Sequence, residues 1–381
     1  MIFKKRKNVW SDSYGGHARV LKKWYERADG KVLDLDNPQT FDEKIQWLKL
    51  YDSIPLKSRL ADKYSVRDWV KEKIGEKYLI PLLGVYDKFD DIDFAKLPNR
   101  FVIKCTHGSG YNIIVKDKAT FDSTEAKSKI NKWLGENFAF KNGCELHYCA
   151  IKPKIIIEKY IENTDGDLYD YKFWCFNGKV KYIQFLSERN LGGMKMAFYD
   201  TKWRKQTFVS DYHYPLDTKN REKPDNLRKM IKLAEKLSRG FYYVRVDFYR
   251  LDDNTICFGE MTFTPASGRM FWSDEKINHD LGKLIKLPKA GYNIDTGKQE
   301  ILPKNFHRDL FEPKRKEAPA KYVFCYKLFD VIPLLTYQKR GGNQVWKVWG
   351  IPVWRVRKIA NTDITKFYLF EIPLIKKTNN L

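Results

Sequence analysis

Apolar and polar positions alternate most regularly between Val244 and Phe263. Val244, Val246 and Phe248 alternate with Arg245 and Asp247; a polar stretch follows; Met261 and Phe263 then alternate with Glu260 and Thr262. A period of two predicts a pair of half-buried strands. With a two-residue turn at Asp253 and Asn254, residues that tolerate positive φ, counting outward places Asp247 opposite Glu260 and Arg245 opposite Thr262. The valines and Phe248 then share a core face with Met261 and Phe263. Directly opposed carboxylates have Cβ atoms roughly 4.5–5.5 Å apart and repel by ~4 kcal/mol at an effective dielectric of ~20 unless a cation lies between them. Two readings fit this stretch alone: an ordinary hairpin with a charged outer face, or a metal site.

Elsewhere the pattern is helical from Ala18 to about Ile74, with Leu21, Trp24 and Tyr25 on one face and Ile45, Trp47, Leu48 and Tyr51 on another. Asn37 and Pro38 precede a start signal, Thr40 with Glu43 three residues on, which is a capping-box pattern. Asp62 and Lys63 read as a solvated face. A short strand is expected over Tyr78 to Leu83 and another over Phe101 to Cys105, resuming at Asn112 to Val115 after the glycine loop Thr106 to Gly110. Lys104 lies on the face opposite Phe101, Ile103 and Cys105, just before a loop whose amides can approach phosphate closely. Most such loops are plain turns; the lysine at its mouth distinguishes this one. A helix is expected over Ser123 to Phe138, and a buried strand over Lys154 to Ile161 whose polar end (Glu158, Lys159) suits either a hinge between lobes or a simple strand end. A hairpin spans Tyr171 to Phe185, closed by Asn177 and Gly178 and carrying Lys172. The helix Pro224 to Arg239, stopped by Gly240, leads into the opening hairpin. Beyond a proline- and charge-rich linker at 288–320, Ile-Pro units recur at Pro333, Pro352 and Pro373, predicting a small basic β module.

At 381 residues the chain has room for two or more domains, and its formal charge of +23 points to an anionic partner. The six cysteines make no zinc spacing and read as reduced thiols of a cytoplasmic protein; Cys144, Cys149 and His147 read as structural. No run of 18 apolar residues argues for a membrane span, and no secretory signal follows the basic first residues. A serine–histidine–carboxylate series is not evident, and His107 has no carboxylate orienter beside it.

Lys104 before its glycine loop, Glu158 to Ile161, Lys172, and Arg245, Asp247 and Glu260 follow one another in an order that resembles the ATP-grasp superfamily, and most closely its TupA-like branch of bacterial cell-surface polysaccharide and teichuronopeptide biosynthesis. The likeness covers most of residues 30 to 285. It implies an α+β fold: a two-lobed nucleotide clamp of antiparallel sheets with helices, its first lobe at 77–160 and its second at 161–287, beside the N-terminal helical region at 1–76 and the β-repeat module at 321–381 that the residue pattern predicts. It implies ATP and Mg2+ as cofactors. Lys104 and Lys172 would hold phosphates under the loop His107, Gly108, Ser109 and Gly110; Glu158, Lys159 and Ile161 would lie along the adenine. Asp247, Glu260 and Thr262 would bind the metal, with Thr262 where the common pattern has asparagine, and Arg245 with Lys172 would stabilise the transferred phosphoryl. The implied activity is an ATP-dependent carboxylate–amine ligase working through an acyl phosphate in capsule or cell-wall polysaccharide modification, for instance amidating a uronic acid. A sugar kinase on the same fold is one alternative. A glycosyltransferase of the same pathway is another, for which Asp90, Asp91 and Asp93 offer only a weak acidic run. Expected partners are an anionic sugar or polysaccharide acceptor, received by Arg189, Lys195 and Arg269, and an amine donor; residues 321–381 read either as a module that docks on the inner face of the membrane, an acidic glycan or a protein of a biosynthetic complex, or as a domain-packing module. Nucleic acid is not expected.

Overall fold

Thr40 caps its helix as the pattern predicts: its hydroxyl accepts from the Glu43 amide, and the Glu43 carboxylate accepts from the Thr40 amide at 2.9 Å. A computed structural model of the chain describes residues 11–188, 193–208 and 215–287, and six strands between 321 and 378. The helices are α1 (Ser11–Asp29), α2 (Phe41–Tyr51), α3 (Pro55–Ala61), α4 (Val66–Lys73), α5 (Ser123–Leu134), α6 (Leu227–Ser238) and α7 (Glu275–Leu284). The strands before residue 288 are β1 (Leu82–Tyr86), β2 (Phe101–Cys105), β3 (Asn112–Val115), β4 (Ile155–Lys159), β5 (Tyr169–Phe176), β6 (Lys179–Ser187), β7 (Lys195–Asp200), β8 (Lys205–Gln206), β9 (Tyr243–Arg250) and β10 (Ile256–Thr262).

Two antiparallel sheets result. One is four-stranded in the order β1-β4-β2-β3; the other is six-stranded in the order β10-β9-β5-β6-β7-β8. The smaller sheet packs Phe101, Ile103, Ile155 and Ile157 against Ala126 and Ile130 of α5. One face of the larger sheet, with Phe173, Val246, Phe248 and Met261, meets α6 through Met230, Ala234 and Leu237, and α3 and α4 through Leu60, Val66 and Val70. Its other face packs Trp174, Phe176 and Tyr243 against Phe41, Ile45 and Leu48 of α2 and Leu281 of α7. The N-terminal helices therefore complete the cores of the large sheet from both sides.

The strand expected over Tyr78 to Leu83 begins four residues later. Gly75, at φ 111°, opens a single 3₁₀ turn over Glu76–Tyr78, and β1 starts only after Pro81. The Asn177–Gly178 turn forms as predicted, both residues having positive φ (49° and 76°), which the type I′ geometry requires.

The strands between 321 and 378 belong to a second compact unit. Its strands β11 (Lys321–Leu328), β12 (Ile332–Arg340), β13 (Asn343–Val348), β14 (Ile351–Lys358), β15 (Ile364–Leu369) and β16 (Ile372–Thr378) make a six-stranded meander in sequence order. Each Ile-Pro pair opens the second strand of a hairpin, and the pairing slips beside each proline, which has no N–H to give the ladder. The expected linker at 288–320 lies outside the described residues. Among the described residues no helix is long and apolar enough to cross a membrane.

Candidate functional site

The β9–β10 hairpin has the register counted from sequence: Asp247 opposite Glu260, Val246 opposite Met261, Arg245 opposite Thr262. It reaches that register by another route. The turn is a three-residue loop, in which the Leu251 amide donates to the Thr255 carbonyl and Asn254 takes φ 64°, so the pairs next to the loop are one residue out of the expected count. A bulge at Gly259 restores it. A Cβ at Gly259 would lie 3.2 Å from the Asp247 carbonyl, so the bulge brings backbone close against the strand that carries the carboxylate.

Because β9 also pairs with β5, Glu260, Asp247 and Lys172 form one row across three strands. Arg245 and Thr262 stand in the next row on the same face. The Arg245 guanidinium is the cation between the carboxylates: Nε donates to Asp247 Oδ1 at 2.7 Å, and Nη2 donates to Asp247 Oδ2 at 2.7 Å, Glu260 Oε1 at 2.9 Å and Thr262 Oγ1 at 3.0 Å. The Thr262 hydroxyl in turn donates to Glu260 Oε1 at 2.8 Å. Lys172 donates to Asp247 Oδ2 and lies 2.7 Å from Asp170 Oδ2. Asp247 is 2% exposed, whereas the Glu260 side chain is 36% exposed. Burial pushes the Asp247 carboxyl up against the pull of Arg245 and Lys172. Burial also acts on Glu260, but Arg245, Lys63 and Lys172 outweigh it and hold that carboxyl down at about 2. Glu260 is thus a permanent anion at neutral pH.

On the smaller sheet, Lys104 and Glu158 project from the same face of β2 and β4, Nζ to Oε2 at 2.6 Å. Arg67 from α4 takes the other carboxylate oxygen at 3.1 Å and ties itself to the Ile80 carbonyl at 3.0 Å. Lys159 is exposed and Ile161 half-buried at the end of the same strand. The glycine loop divides. Ser109 and Gly110 are exposed, with Gly110 at φ 75°, while Gly108 is buried where a Cβ would lie 2.7 Å from Phe138 and Tyr111. His107 turns inward: 3% exposed, its Nε2 pairs with the Trp133 carbonyl at 2.9 Å, and burial pushes the imidazole down. Expected at the phosphates, His107 instead anchors the base of the loop.

Lys63, expected on a solvated face, lies at the site. Its amide donates to the Thr106 carbonyl at 3.2 Å and its ammonium donates to the Gly108 carbonyl, joining the α3–α4 junction to the glycine loop. Arg67 and Asp170 also lie at the site, although in the sequence each sits among ordinary helix or strand polar positions. After β10, Ala266, Ser267 and Gly268 take φ 47°, 57° and 68°, a left-handed turn held by α2: Gln46 donates to the Ser267 and Gly268 carbonyls at 3.1 and 2.8 Å, and Lys49 to the Ser267 carbonyl at 2.6 Å. The spacing of Asp42, Gln46 and Lys49 along α2 is the sequence signal for that polar stripe. Lys195 pairs with Glu188 at 2.7 Å and Arg269 with Asp29 at 2.6 Å, so both are already ion-paired; Arg189 lies outside the described residues.

Two opposed carboxylates and a hydroxyl are hard oxygen donors of the kind Mg2+ takes, and such ions complete their shell with phosphate oxygens and water. Among the described residues no group of three or more histidine, cysteine or acidic side chains is placed to hold a metal ion.

No curated protein matches the chain. Among solved structures it is similar to D-alanine–D-alanine ligase from Helicobacter pylori (17% identity, 60% of this chain and 61% of that one, TM-score 0.34). It is similar also to L-amino acid ligase from Bacillus licheniformis (14%, 55% and 42%, TM-score 0.33) and to biotin carboxylase from Campylobacter jejuni (13%, 60% and 47%, TM-score 0.33). The chain thus spans about three-fifths or less of the length of these proteins. The family model for TupA-like ATPgrasp matches residues 43–286, well over half of the chain, a span that runs from before Lys63 to beyond Thr262. The chain belongs to the TupA-like ATP-grasp family.

Proposed function

We propose that the protein is an ATP- and Mg2+-dependent carboxylate–amine ligase that activates its acceptor carboxylate as an acyl phosphate. The observation that carries this reading is the row Lys172, Asp247, Glu260 with Arg245 beside it, set near a second sheet that offers Lys104 and an exposed glycine-loop tip. Phosphoryl transfer passes through a loose transition state with little for acid–base groups to do; it needs cations and rigid positioning. Lys104 and Lys172 would grip phosphate oxygens. Arg245, locked by Asp247, Glu260 and Thr262, offers charge at a fixed place without reorganisation. Asp247 and Glu260, with the Thr262 hydroxyl, would hold Mg2+, which when bound neutralises phosphate charge. Glu158, Lys159 and Ile161 would line the adenine side.

The acceptor is proposed to be a uronic acid of a capsular or cell-wall polysaccharide, and the product its amide. The net charge of +23 supports an anionic acceptor. ADP and phosphate release that requires both a uronate and an amine is the expected result. AMP production, release supported by a sugar hydroxyl alone, or no nucleotide turnover would overturn this reading.

A further inference from the structure

Five cations, Lys63, Arg67, Lys104, Lys172 and Arg245, belong to the site, and four of them are in ion pairs. Lys104 and Arg67 share Glu158, Lys172 lies between Asp170 and Asp247, and Arg245 bridges Asp247 and Glu260. Lys63 differs. Among the described residues no carboxylate lies within ion-pair distance of its ammonium, whose bonding partner is a neutral carbonyl, that of Gly108. Its neighbour Asp62 favours the charge from a distance but makes no ion pair with it: that carboxylate takes the Tyr64 and Ser65 amides at 2.8 and 3.2 Å.

The surroundings suit an anion. Lys63 feels Glu260 on the metal-side hairpin and Lys104 on the phosphate-side strand, so it stands between the glycine loop and the carboxylate row. Burial pushes its ammonium down and Lys104 adds to that, while Glu260 and Asp62 push it back up. It is only partly buried, and the loop tip beside it, Ser109 and Gly110, is exposed. A partly desolvated lysine without its own carboxylate, next to a second lysine, is stabilised by an anionic ligand between them.

We propose that Lys63 binds the terminal phosphate of the nucleotide, exchanging the Gly108 carbonyl for a phosphate oxygen, so that the α3–α4 junction supplies a phosphate contact to a site otherwise built from the two sheets. The inference rests on the nucleotide reading above. It gives the N-terminal helical region a direct part in discriminating triphosphate from diphosphate, and it couples the glycine loop to nucleotide state, because filling the site releases the Gly108 carbonyl.

The test compares binding of ADP and of a non-hydrolysable ATP analogue, both with Mg2+, to the full chain by titration calorimetry. Lys63→Met is expected to weaken the triphosphate analogue about 10- to 100-fold, the worth of one charge-assisted contact, and ADP less than about threefold. Lys63→Gln, which keeps a donor for Gly108 but no charge, should behave like Lys63→Met, and Lys63→Arg should keep the preference for triphosphate. Equal weakening of both nucleotides, or a Lys63→Gln protein with the wild-type preference, overturns the proposal. A wild-type protein that binds neither nucleotide overturns the reading beneath it, and the proposal with it.

Discussion

Replacing Asp247 with asparagine removes one negative charge from a place where two cations depend on it. Asp247 is 2% exposed and accepts both bonds of the Arg245 fork and the Lys172 ammonium. Asparagine keeps the shape but leaves Lys172 with Asp170 alone, and Arg245 with Glu260 and a hydroxyl. Truncating one partner of a buried pair costs about 3–5 kcal/mol; the residual partners and the retained amide oxygen bring the expected loss to about 2–4 kcal/mol. At ~2 °C per kcal/mol for a unit of this size, the melting temperature should fall by roughly 4–8 °C. Glu260→Gln differs in stability but not in chemistry. Its side chain is 36% exposed, so the same loss of charge should move the melting temperature by less than about 2 °C. Nucleotide turnover should drop about 10²–10³-fold in both variants, because both carboxylates are assigned to the metal. Calorimetric melting and an ADP-release assay on the two purified variants make the comparison. Equal melting shifts, or an Asp247→Asn protein as stable as wild type, would refute the assignment of Asp247 as the buried hub of the row.

Glu260 is held down at about 2 from an ordinary 4.5, so its stabilising contribution is complete above about pH 4.5 and is lost as pH falls towards 2; the Glu260→Gln protein should lose less stability over that window in acid melts. Asp42 behaves oppositely: burial pushes it up to about 7, the folded state holds its proton between about pH 4 and 7, and stability declines as pH rises through that range, so Asp42→Asn should flatten melting temperature against pH there. Gly282→Ala would put a Cβ 2.2 Å from the Gln39 carbonyl, where α2 meets α7, and backbone cannot yield cheaply; a loss of about 3 kcal/mol, read by denaturant unfolding, is expected. Thr262→Asn, which supplies a carbonyl oxygen in place of a hydroxyl, should lower the Mg2+ concentration for half-maximal nucleotide binding several-fold.

Positions governed by local periodicity and turn chemistry were readable without coordinates. The capping box at Thr40 and the Asn177–Gly178 turn depend on residues a few positions apart, and both form as their spacing predicts. The Asp247–Glu260 pairing was also readable, although through two compensating departures: a longer turn and a bulge at Gly259, whose glycine alone hinted at the irregularity. The family resemblance read from Lys104 through Glu260 agrees with the matched family. What escaped the sequence is what only tertiary contact creates. The pair Asp62–Lys63 has the composition of a surface turn, and nothing nearby in the chain reveals that residue 63 meets residue 108. His107 carries a residue type that suggests chemistry, yet the Trp133 carbonyl and the Tyr111 ring draw it into the core. Lys49 and Gln46 sit on an ordinary amphipathic helix, and only the left-handed turn at residues 266–268 explains why that helix keeps a polar stripe on a buried face.

The nucleotide is proposed to lie between Lys104 on one sheet and the Asp247–Glu260 row on the other. Thermal unfolding of the full chain with Mg2+-ATP, set against Mg2+ with a UDP-sugar, tests it most directly. A ligand at 100 times its dissociation constant adds ~2.7 kcal/mol, or roughly 5 °C here, so ATP with Mg2+ should raise the melting temperature by several degrees and the UDP-sugar should not. Stabilisation by the UDP-sugar with no response to Mg2+-ATP would contradict the account.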